Sequence, residues 1–126
     1  MTVMEWTPEI GCAYGVTFTI AAAGATMAVS CQLTDYAGNA LKCKNAVHCY
    51  YSTDDNGDTV ETLGATTVLA TDGIILNITD KILELWITED DGTFGMTLDG
   101  DGASAYLNVI LPNGKVVTSS VIAFSS

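Results

Sequence analysis

The sequence predicts an all-β protein, a single antiparallel β-sandwich. Apolar residues recur at every second position in several runs of strand length. Turn-forming clusters separate those runs about every ten residues. They are clearest in the last third of the chain: Asp90-Asp91-Gly92, Asp99-Gly100-Asp101-Gly102 and Pro112-Asn113-Gly114. No segment carries a convincing helical period.

Taken in order, residues 1–14 form an extended N-terminal arm and residues 15–126 the domain. Thr7-Pro8 disfavours helix in the arm, and Gly11 and Gly15 interrupt it. Residues 16–22 alternate and give a first short strand. Residues 25–35 give a second, with Met27, Val29, Cys31 and Leu33 on one face and Ser30, Gln32 and Thr34 on the other. Asp35 to Asn39 is a turn. The next strand ends near Ser52 and places Val47, Cys49 and Tyr51 opposite His48 and Tyr50. Residues 54–65 are the longest polar stretch and form an exposed loop. Residues 66–71 add a short edge strand, and Asp72-Gly73 turns the chain into a strand at 74–79.

In residues 81–89, Leu83, Leu85 and Ile87 share one face, and Glu84, Trp86 and Thr88 the other. The β-branched residues and Trp86 favour strand there over helix. Phe94, Met96 and Leu98 point inward from the next strand. Residues 105–111 are nearly all apolar and predict a central strand buried on both faces. Pro112-Asn113-Gly114-Lys115 makes a tight hairpin, and residues 116–124 close the fold. The even spacing fits an immunoglobulin-like sandwich of about seven to nine strands.

Composition narrows the function. A chain of 126 residues, 48% of them apolar, is one domain with enough core to stand without disulfides. The formal net charge is −11, from 15 acids against four lysines (Lys42, Lys44, Lys81, Lys115) and no arginine. Phosphate backbones are bound by clustered cations, so direct nucleic-acid binding is excluded. The same charge repels an anionic membrane surface, and no run reaches the roughly 18 apolar residues of a spanning helix. The first residues lack a basic region and carry Glu5 and Glu9, which is unlike a secretory signal. The expectation is a chain that begins at its own Met and is made in a cytoplasm. Cys12, Cys31, Cys43 and Cys49 match no zinc spacing. In a reducing compartment they are buried free thiols; their even number leaves bridges open outside a cell.

Few residues are arranged for chemistry. His48 and Cys49 are neighbours on a strand and so point to opposite faces, a poor geometry for a nucleophilic dyad. Asp54-Asp55-Asn56-Gly57-Asp58 faintly resembles a calcium loop. Its glycine comes too early and Ala65 stands where the loop needs a glutamate, so a solvated turn is expected. The acids all fall in turns or on outward faces, away from the paired geometry of a glycosidase. No glycine loop precedes a helix to hold phosphate. The sequence therefore predicts a non-enzyme without metal or cofactor. Two groups remain as candidate contact residues. Met4, Trp6, Ile10 and Cys12 lie on the arm, where Trp6 either folds back on its own core or docks on a neighbouring subunit. Asp54, Asp55, Asp58 and Glu61 lie at a loop tip suited to binding.

The segments Val-Ser-Cys-Gln-Leu-Thr-Asp-Tyr-Ala-Gly-Asn-Ala-Leu (residues 29–41) and Val-His-Cys-Tyr-Tyr-Ser (residues 47–52) resemble the opening hairpin of bacterial and phage immunoglobulin-like domains. The runs at 71–75, 80–92 and 105–124, with the exit Leu111-Pro112-Asn113-Gly114-Lys115, look like a family of small structural proteins of tailed bacteriophages. The resemblance spans about residues 16–126 and carries no functional residue. It implies a virion protein made in the host bacterial cytoplasm. The first expectation is a capsid decoration (cement) protein, binding the major capsid protein on the outer capsid surface and itself as a homotrimer. The alternatives are a host-binding module of a head or tail fibre and a tail-tube or baseplate subunit. Cys31, Cys43 and Cys49 depart from the family's usual strand residues. Released virions meet oxidising surroundings, and an intersubunit link through Cys12 is the bridge the resemblance puts first.

Overall fold

A computed structural model of the chain describes residues 13–23, 26–63, 67–99 and 104–123. Cys12 and the rest of the arm up to it, the Gly100-Asp101-Gly102 part of the late turn, and Phe124 lie outside the described residues. Nine strands form among them: β1 (Gly15–Ala23), β2 (Thr26–Thr34), β3 (Ala46–Ser52), β4 (Thr67–Asp72), β5 (Ile74–Thr79), β6 (Leu83–Ile87), β7 (Thr93–Asp99), β8 (Tyr106–Ile110) and β9 (Val116–Thr118). They make two antiparallel sheets, a four-stranded one in the order β1-β2-β7-β4 and a five-stranded one in the order β5-β6-β3-β8-β9. The chain is an all-β sandwich, as the alternation predicts.

The sheet sizes are those of a variable-type immunoglobulin sandwich, but the middle of the chain is connected differently. In that arrangement the two extra strands follow the third and stay in its sheet. Here the chain leaves β3 for β4, at the edge of the other sheet, and then returns to β5, the outer edge of the first. Only then does β6 come back beside β3. One residue, Gly73, separates β4 from β5. That corner works because Gly73 takes φ 82° and a bulge shifts the register between Ala70 and Asp72.

The core lies between the sheets. From one side come Met27, Val29, Cys31 and Leu33 of β2 and Phe94, Met96 and Leu98 of β7; from the other, Val47, Cys49 and Tyr51 of β3 and Leu107 and Val109 of β8. Those of β2, β3 and β7 follow the predicted parity. β8 runs between β3 and β9, and its outward Asn108 is also buried. Burial pushes the Cys31 thiol up to about 12 and raises the Cys49 thiol well above its ordinary 9.0, so both are weak nucleophiles.

β6 corrects the sequence reading. Glu84, Trp86 and Thr88 are the buried face, while Leu83, Leu85 and Ile87 point out. Glu84 is thus an acid that is neither in a turn nor on an outward face. The physical reason is Trp86, the largest fully buried side chain, which packs on Phe94 of the opposite sheet with ring centroids 5.2 Å apart. Its indole Nε1–H needs an acceptor in the core, and Glu84 Oε1 provides it at 3.0 Å. The same oxygen accepts the Tyr51 hydroxyl at 3.0 Å, and that hydroxyl lies 3.5 Å from Met96 Sδ across the sandwich. Glu84 Oε2 is buried and has no partner among the described residues.

Burial raises the Glu84 pKa above its ordinary 4.5; the donors on Trp86 and Tyr51 oppose the rise only in part. The folded chain therefore holds this proton more tightly than the unfolded chain. Below about pH 4.5 both states are protonated and the group contributes nothing. As pH rises past that value the unfolded chain ionises first, and stability falls until the folded carboxyl ionises too. Glu84→Gln keeps the Oε1-type acceptor without the charge. Urea unfolding is expected to show it about 1–2 kcal/mol more stable than wild type at neutral pH, with the difference vanishing at pH 4. Glu84→Ala, which strips the acceptor from both Trp86 and Tyr51, is expected to destabilise by about 2–4 kcal/mol.

Candidate functional site

The loop after β3 holds the sequence-predicted tip residues. It folds back on β3: Thr53 N–H donates to Thr59 O at 3.0 Å and Glu61 N–H to Tyr51 O at 2.9 Å. Asp54 organises this turn, with Oδ1 accepting the backbone N–H of Asp58 at 3.0 Å and of Thr59 at 3.3 Å. Asp55, Asp58 and Glu61 are exposed, whereas Asp54 is half-buried and engaged. The structure therefore brings three of the four to the surface. Among the described residues no group of three His, Cys, Asp or Glu side chains is placed to hold a metal.

This loop also has a covering role that the sequence does not announce. It lies over the outward face of β8, where Asn108 is fully buried. Asn108 Nδ2 donates to Ser52 Oγ at 2.8 Å, and its Oδ1 accepts Thr118 Oγ1 at 2.7 Å. Tyr50 donates its hydroxyl to Gly57 O at 2.9 Å. The run at 105–111 is buried along its inward face, but on its outward face only at Asn108, which the loop caps; Tyr106 and Ile110 are half-buried, so the expected burial on both faces holds at the centre alone.

Beyond the loop, the outer face of the five-stranded sheet is apolar. Register aligns Leu76, Leu85, His48, Ile110 and Val116 in one rung across all five strands, and Ile74, Ile87 and Ala46 in the next. Ile74, Leu76 and Ile78 on the edge strand β5 are 52%, 48% and 54% exposed. No acid or lysine stands in either rung. This face exists because β6 turns its aliphatic side outward.

The outer face of the four-stranded sheet has the opposite character. One rung carries Thr17, Gln32 and Thr93; the next carries Thr19, Ser30, Gly95 and Asp72. All of these but Gly95, together with Asp91, border a trough of about 330 Å³. Gly95 lies between Ser30 and Asp72 in this rung, with the Thr71 hydroxyl 3.2 Å from where a Cβ would stand. Gln32 Nε2–H donates to Asp91 O and Leu33 O, both at 2.9 Å, and so fixes the β6–β7 turn at the trough's end. Asp91 Oδ1 accepts Thr93 Oγ1–H at 2.6 Å and Thr93 N–H at 3.2 Å. These bonds hold its carboxyl below the ordinary range. Sequence reasoning missed this site, although the outward parity of Ser30 and Gln32 was the available signal.

His48 sits exposed within the apolar rung and Cys49 is buried on the other face, as strand geometry requires. Gly57 is the residue on which the loop closes. Its φ is 77°, and a Cβ would stand 2.6 Å from Asn108 Oδ1 and 2.7 Å from the Tyr50 hydroxyl. Gly57→Ala is expected to destabilise the domain by about 1–3 kcal/mol in chemical unfolding. Hydrogen exchange at residues 53–60 is expected to rise more than in β2 or β7.

No family model, curated protein or solved structure significantly matches this chain.

Proposed function

We propose that the chain is a structural protein of a tailed-phage virion, a capsid decoration subunit that binds the major capsid protein on the outer capsid surface. The observation that carries this reading is the apolar face of the five-stranded sheet, whose two rungs hold neither acid nor lysine. Contiguous apolar patches of this kind mark surfaces that another protein covers. Burying the exposed parts of Ile74, Leu76 and Ile78 contributes on the order of 1 kcal/mol each, gross. The resemblance of the runs at 71–75, 80–92 and 105–124 to small structural proteins of tailed bacteriophages supplies the class of assembly. The acidic remainder keeps subunits apart until that face finds its partner.

The arm belongs to the same proposal. Met4, Trp6, Ile10 and Cys12 would engage a neighbouring copy, with a trimer as the favoured assembly. The second reading, a host-binding module, draws on the exposed carboxylates of Asp55, Asp58 and Glu61.

Quantitative mass spectrometry of purified virions tests the proposal. Hundreds of copies per particle, released by chaotrope before the head ruptures, are expected. A handful of copies, or a location at the tail tip, overturns it. The paired substitution Ile74→Glu and Leu76→Glu is expected to leave urea stability within about 0.5 kcal/mol of wild type. The same variant is expected to lose binding to undecorated heads; retained binding would move the contact elsewhere. On non-reducing gels of particles, a dimer band abolished by Cys12→Ser is the outcome expected of an intersubunit bridge. Monomer alone would remove that bridge.

A further inference from the structure

We propose that the trough on the outer face of the four-stranded sheet is a saccharide-binding site that takes an uncharged sugar ring. The chemistry of its lining points to this ligand class. Thr17, Thr19 and Ser30 are exposed and present hydroxyls that both donate and accept. The Gln32 amide has both N–H groups engaged within the protein, so its oxygen is offered as an acceptor. Asp72 and Asp91 add carboxylate oxygens at one end. This set suits a ligand rich in hydroxyl groups.

Other classes fit less well. Among the described residues no lysine or histidine lines the trough, which disfavours phosphate, nucleic acid and acidic sugars. Only two carboxylates border it, short of the oxygen shell a calcium ion takes. An extended peptide would bind by adding a strand at a sheet edge, whereas the trough lies on the face, over strands β1, β2 and β7 that pair with one another. The volume of about 330 Å³ equals the liquid-volume share of roughly eleven waters, enough for one sugar ring. The site is rigid because its polar groups stand on paired strands, and Gln32 ties the one flanking turn to β2.

This site stands on the face opposite the apolar one, and its test is independent of the capsid reading. The isolated full chain is titrated with maltotriose, chitotriose and mannotriose, followed by amide NMR shifts. Sialyllactose and calcium chloride alone serve as comparisons. At least one neutral trisaccharide is expected to shift Thr19, Ser30, Gln32 and Thr93 together, with an affinity near millimolar, about the strength of a few exposed hydrogen bonds. Thr17→Val with Thr19→Val keeps shape and strand preference and is expected to weaken binding about five- to tenfold. Ser30→Tyr, which fills the trough, is expected to abolish it. The proposal is overturned if no neutral trisaccharide shifts these residues at about 10 mM, or if the shifts map to residues 53–63. A response to calcium alone at Asp72 and Asp91 would make the trough a cation site and also overturn it.

Discussion

The arrangement of this molecule depends on the hydrogen bonds that Trp86 and Tyr51 donate to one oxygen of Glu84. They decide which side of β6 faces the core. A strand has only two sides, so the choice is all or none. Placing Trp86 inside buries the largest side chain against Phe94 and couples the two sheets through rings and through Tyr51 over Met96. It also brings a carboxyl into the core with one oxygen unpartnered. The aliphatic side would bury three residues without a polar group. The aromatic side wins because a single indole fills the space between sheets and finds its acceptor two residues away on its own strand.

That choice shapes the surface as much as the core. Leu83, Leu85 and Ile87 are displaced outward, and Leu85 and Ile87 meet Leu76 and Ile74 of β5 in register. The sandwich then has two unlike outer faces, one apolar and free of charge, the other a ladder of hydroxyls with carboxylates at its end. A chain of net charge −11 can bring only the first of these against another acidic surface without repulsion. The second is suited to water-like ligands. The loop at 53–63 divides the two roles by sealing the part of the five-stranded sheet around Asn108.

Much of the fold was legible. β2, β3 and β7 show clean alternation, and their inward residues are those the parity predicts. The Pro112–Lys115 hairpin forms as its residues require, with Leu111 N–H donating to Lys115 O at 2.8 Å. The side of β6 was not legible, because in Leu-Glu-Leu-Trp-Ile both faces carry apolar bulk and periodicity cannot rank them. The path of the chain was not legible either. Asp72-Gly73 reads as a hairpin turn, yet it joins strands of different sheets. Local sequence encodes the bend at Gly73 but not the sheet that receives β5. The trough was hidden for a third reason. It is built from rungs that cross three to four strands, and only register brings Thr19, Ser30, Gly95 and Asp72 into line.

The buried carboxyl and the two outer faces are therefore linked by parity. Shifting β6 by one residue would bring Leu83, Leu85 and Ile87 inside and put Glu84 and Trp86 out, placing a charge in the middle of the apolar rung. The core would lose its unsatisfied oxygen and the surface would lose its uncharged face. A simple hydrophobic inside would thus be incompatible with the apolar outer face. The unpartnered Glu84 oxygen is the local penalty of a strand whose outward side is apolar, and the Trp86–Phe94 packing is what offsets it. On this view the polar core and the apolar surface are one feature of β6, seen from its two sides.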